Sequence, residues 1–78
     1  MKYGELQPGD IAVIWNCPAL VIASVPQEGI NKIMFMNIGH AVPGELFETY
    51  YRSDEATITE WSVSREGVQI WDKHDAFK

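Results

Sequence analysis

Cysteine is nearly absent: Cys17 stands alone among 78 residues, so no internal disulfide can form. With no second Cys and no Cys/His spacing, the sequence offers no structural zinc site. Basic residues are also scarce. The six of them, Lys2, Lys32, Arg52, Arg65, Lys73 and Lys78, are scattered against eleven acids, for a net charge of −5. No basic stripe exists to meet a phosphate backbone, which speaks against a nucleic-acid partner. Long apolar runs are missing too. The best stretch, 11–25, falls short of the roughly 20 residues of a spanning helix and is interrupted by Asn16 and Pro18. Glu5 and Asp10 precede it, where a signal peptide would carry basic residues. The expectation is a soluble, cytoplasmic chain with no membrane contact. There are no repeats, linkers or low-complexity segments.

What is present fits one globular domain over 1–78: 46% hydrophobic and 22% charged residues. Three Trp, three Tyr and three Phe are generous for this length. A domain this small buries only about 60% of its unfolded surface. Lacking crosslinks and metal, it has reason to associate with a second copy.

Gly/Pro turns punctuate short β-branched runs. Gln7-Pro8-Gly9-Asp10 reads as a turn that opens a strand over 11–15. Residues 19–25 and 30–38 read as a hairpin around Pro26-Gln27-Glu28-Gly29. Pairing Val25 with Ile30 puts Leu20, Ile22, Ile33 and Phe35 on one face. Val21, Ala23, Val25, Ile30, Met34 and Met36 fall on the other. Both faces are apolar, so both need cover. Residues 45–51 suit either a short helix or an aromatic-rich strand. Residues 56–64 and 68–72 form a second hairpin across Arg65-Glu66-Gly67. Pairing Val63 with Val68 and Trp61 with Ile70 leaves Glu60, Ser62, Gln69 and Trp71 on the outer side. The fold expected is mainly β: a small barrel or rolled antiparallel sheet of about five strands, with room for one short helix.

The Pro8-Gly9-Asp10-Ile11 turn and the 19–38 hairpin resemble SH3-like β-barrels, including small bacterial and bacteriophage accessory proteins. That resemblance implies the fold and a protein-binding role. Gly9-Asp10-Ile11 followed by Pro18-Ala19-Leu20-Val21-Ile22 is similar to the opening of MazF/PemK-type toxin barrels, which are ribonucleases. In that family an Arg typically precedes the second-motif Pro; Cys17 stands there in this chain.

Candidate chemistry is thin. Cys17 needs a neighbouring base to act as a nucleophile, and His40 and His74 are not placed beside it by local sequence. Without one it is a small half-buried thiol. His40 could work with Glu45 or Glu48, or be an ordinary loop histidine. Asp72, His74 and Asp75 could ligate a metal, or form a solvated tail. No catalytic residue, metal site or cofactor is therefore expected. Tyr50, Tyr51, Arg52 and Trp71 are residue types that anchor interfaces, and Trp71 is the aromatic most out of place on its strand. Val21, Val25, Met34 and Met36 could form a self-association surface. The function expected is a non-enzymatic interaction module, a phage or bacterial accessory or inhibitor protein, binding a protein partner through exposed aromatics on an acidic surface and associating as a dimer. The alternatives are a degenerate toxin-like barrel and a structural subunit of a homo-oligomer.

Overall fold

The computed structural model describes residues 1–39, 42–52 and 57–73. A short 3-10 turn, Tyr3–Glu5, precedes six strands: β1 (Ile11–Ile14), β2 (Cys17–Gln27), β3 (Ile30–Asn37), β4 (Leu46–Arg52), β5 (Ser62–Arg65) and β6 (Val68–Trp71). They form one open antiparallel sheet in the order β4-β3-β2-β1-β5-β6. The mainly β expectation of about five strands holds, with six strands among the described residues. Residues 46–52 resolve as strand. Among the described residues, no helix is long and apolar enough to cross a membrane.

Local chemistry explains the turns. Pro8-Gly9 closes a Gln7–Asp10 turn in which the Asp10 N–H donates to the Gln7 carbonyl at 3.1 Å. Gly9 takes the left-handed φ of 95° that this turn requires at its third position. β1 and β2 join through Trp15-Asn16, both at positive φ, and β5 and β6 through Glu66-Gly67, again both positive. Such two-residue turns match the twist of the strands they connect. The first turn draws Cys17 and Pro18 into β2, so β2 begins earlier than the proline suggests. Ile14 and Cys17 flank the turn and so form the hydrogen-bonded pair. Alternation then makes Val13/Pro18 a non-bonded pair, where a missing N–H costs nothing on the β1 side.

The registers differ from the sequence expectation in both hairpins. Val25 pairs with Lys32, and Gln27 with Ile30, because the β2–β3 turn is two residues rather than four. Between Val21/Phe35 and Ala23/Met34 the ladder shifts by one residue, leaving Ile22 as the extra one. Val21 therefore faces inward with Phe35 and Ile33, while Leu20 faces outward opposite Met36. In the second hairpin Val63 pairs with Trp71 and Ser64 with Gln69, leaving Ile70 as the extra residue. Trp71 is thereby turned into the core, and Val68 and Ile70 are exposed.

The inner face carries Ala12, Ala19, Val21, Ile33, Phe35, Val63 and Trp71, closed over by Leu6, Ile58 and Trp61 from outside the strands. Trp61 is the pivot. It meets Tyr3, Tyr51 and Phe35 edge-on, with centroids 5.4, 5.4 and 5.8 Å away. Tyr3 stacks flat on Tyr51 at 4.0 Å. The N-terminal segment is thus pinned against β4, and the Ile58 N–H donates to the Met1 carbonyl at 2.7 Å.

Trp61→Ala should cost about 3–5 kcal/mol, the usual penalty for an emptied aromatic core position. Urea melts followed by circular dichroism read this directly, and Trp61→Phe should recover a large part of the loss.

Candidate functional site: an apolar sheet face and the Trp15 cleft

The outward face of β1–β4 is built in rows. Ile11, Leu20, Met36 and Leu46 lie side by side across the four strands. Ala23, Met34 and Glu48 form the next row, and Val25, Lys32 and Tyr50 the third. Leu46 is 59% exposed and Tyr50 56%, with Ile11, Ile22 and Val25 also open to solvent. Lys32 and Glu48 pair diagonally at 3.4 Å across this face. Half-exposed ion pairs of this kind contribute little to stability. They do leave the three rows without net charge.

The sequence-derived candidates divide between the two sides of the sheet. Val25, Met34 and Met36 share the outer face, whereas Val21, 1% exposed, lies in the core. Tyr50 points outward and Tyr51 inward onto Tyr3. Burial raises the pKa of both inner phenols; the Glu60 charge adds to this at Tyr3, while at Tyr51 Thr49 opposes it and Tyr3 adds to it. Trp71, 9% exposed, packs on the core side and offers no anchor. Arg52 ends β4; its side chain lies outside the described residues, as do His40, Asp54, Glu55, His74, Asp75 and Phe77. The Cys17 thiol is half-buried, 3.6 Å from the Trp15 carbonyl oxygen. Among the described residues, no group of three or more His, Cys, Asp or Glu gathers in one place.

Two features were not singled out from sequence. The first is Trp15, read there as the end of a strand. It sits at the β1–β2 tip, 73% exposed, at a φ of 51°. A left-handed conformation costs a bulky residue roughly 1–2 kcal/mol, and burial of the indole does not offset it. Beside it opens a cleft of about 460 Å³ lined by Val13, Trp15, Asn16, Thr59, Glu60, Ser62 and Lys73. A second hollow of about 390 Å³ shares Val13 and Ser62 and continues past Ser64 and Gln69 to Asp72. The cause is side-chain size: Ser62 and Ser64 are short, and they lie outward on β5 between bulkier neighbours. A serine repeat gives little sequence signal.

The second is Asp10, noted before only as a turn residue. It is fully buried and accepts two hydrogen bonds from the Arg65 guanidinium, at 2.7 and 2.9 Å. The Gln7 N–H donates a third at 2.8 Å, and Arg65 also donates to the Glu5 carbonyl. Burial alone would raise the Asp10 pKa. The Arg65 hydrogen bonds, the Gln7 N–H and the Arg65 charge together outweigh it and hold the carboxyl below the usual carboxylate range. Two residues from opposite ends of the chain are clamped in this way. The arrangement is structural, because the carboxylate is saturated and closed to solvent.

No family model, curated protein or solved structure matches this chain.

Asp10 has a lowered folded-state pKa, so its contribution to stability is fully present above the unfolded value. It should be lost as pH falls below about 4 and continues through the folded value. Thermal melts across an acid series should show this loss. Asp10→Asn should be less stable at neutral pH and should show a flatter acid limb, while Glu66→Gln, on the exposed turn, should track the native protein.

Proposed function

We propose that this chain is a non-enzymatic protein-interaction module that works as a homodimer, with the outer face of β1–β4 as the shared surface. The observation that carries the reading is the contiguous apolar face formed by Ile11, Leu20, Val25, Met34, Met36, Leu46 and Tyr50. A monomer of this size gains nothing from leaving so many methionine, branched and aromatic side chains in water. Methionine-rich, flat surfaces suit adaptable contacts.

A second copy is favoured by charge. The chain carries −5 overall, so most of its surface repels its own kind. The three rows are the exception, since their one acid and one base are already paired. Two copies can meet there without bringing like charges together. The SH3-like likeness and a role as a phage or bacterial accessory protein belong to this same proposal, as does a cytoplasmic setting. A ribonuclease reading finds less support, because no catalytic group stands where the toxin barrels carry their arginine.

Sedimentation equilibrium should give a dimer at micromolar concentration. Met36→Lys should shift it to monomer with its far-ultraviolet circular dichroism intact, and Tyr50→Lys should weaken it less, being nearer the rim. A native protein that stays monomeric into the millimolar range would reject the homodimer.

A further inference from the structure

We infer that the Trp15 cleft is a saccharide-binding site. The inference goes beyond the dimer reading and stands on a different part of the sheet, the outward side of β1, β5 and β6. An exposed indole lines the cleft, and Val13 and Ser62 line both hollows. Nearly everything else that lines it can make hydrogen bonds: Asn16, Thr59, Glu60 and Ser62, then Ser64, Gln69 and Asp72 farther along.

That combination selects for a particular chemistry. A sugar ring has a face of C–H bonds, which packs on a flat aromatic, and an edge of hydroxyls, each both donor and acceptor. Carboxylates and carboxamides bridge neighbouring hydroxyls, and serine and threonine add single bonds. A purely apolar ligand would leave these polar groups unpaired. A strongly charged ligand is not called for either, since the lining mixes the carboxylates of Glu60 and Asp72 with the ammonium of Lys73. The openness of the trough along β5 suits a chain of sugars better than a single enclosed ring. Asp72 already accepts from the Gln69 amide at 2.7 Å, which orients both side chains at the far end. The two-residue turn fixes the indole backbone, so little freedom is lost when a ring stacks on it.

The test is a titration of the full chain with chitotetraose, cellotetraose and maltotetraose, each to about 10 mM, a range set by the millimolar affinities of shallow polar sites. Tryptophan fluorescence and amide chemical shifts are read together. At least one tetrasaccharide should perturb Trp15, Asn16, Thr59 and Ser62 while leaving the Met34 and Met36 amides still. Trp15→Ala, at an exposed tip, should weaken that binding by about tenfold or more. Trp15→Tyr should restore part of it, and Glu60→Gln should weaken it by several-fold. The inference is overturned if none of the three sugars moves these signals, if Trp15→Ala binds as tightly as the native chain, or if acetyl-tetralysine amide gives the same localised shifts more strongly than every sugar. None of these results bears on sedimentation, so the dimer stands or falls separately.

Discussion

One extra residue in each of two hairpins decides which side of this sheet is inside. A strand alternates its side chains, so a single inserted residue exchanges the faces of everything beyond it. At Ile22 the insertion lets Val21 join Phe35 and Ile33 in the core while Ala23 and Val25 face outward with Met34 and Lys32. At Ile70 it brings Trp71 inward against Val63. Without these two positions the inner face would lack Trp71 as its end wall. The outer face would carry a different set of side chains. The compositions of the core and of the apolar face both follow from these two irregularities.

Around that constraint the packing is economical. Among the described residues, ten buried hydrophobics make the core, and three of them, Leu6, Ile58 and Trp61, come from segments outside the strands. The sheet is open, and Leu6, Ile58 and Trp61 cover its inner face. The aromatic pivot at Trp61 holds the N-terminal turn to β4, and the Asp10–Arg65 clamp holds the first turn to the β5 end. Among the described residues, the core is covered on one side by segments outside the strands, and none of them forms a layer over the other side of the sheet. This is why the outward rows carry the surface proposed above for the dimer.

Much of the architecture was legible from the residues. The Pro8-Gly9-Asp10 turn, the all-β class and the two-sided apolar character of the 19–38 hairpin follow from turn chemistry and β-branched runs. The opposed directions of Tyr50 and Tyr51 follow from strand periodicity only once 46–52 is a strand, a choice the residues left open. What could not be read was register. A bulge leaves no mark in a sequence where Ile22 and Ile70 look like any other strand residues, and so Val21 and Trp71 were assigned to surfaces they do not occupy. The Asp10–Arg65 pair joins positions that no local window spans. The cleft depends on two short serines and on a tryptophan in a left-handed turn, a conformation that residue seldom adopts.

The placement of β1 bears on how the molecule assembles in time. Strands β1 to β4 follow one another as simple hairpins, and each can zip onto its predecessor as it emerges. The other flank of β1 belongs to β5, and the pair that locks it, Asp10 with Arg65, spans 55 positions. Closing so large a loop is entropically late, and topologies with distant pairings fold slowly. Until the last hairpin arrives, a nascent chain presents β1 as a raw, sticky border. Before that docking, the β5-facing border of β1 keeps backbone groups open to pairing with any other strand.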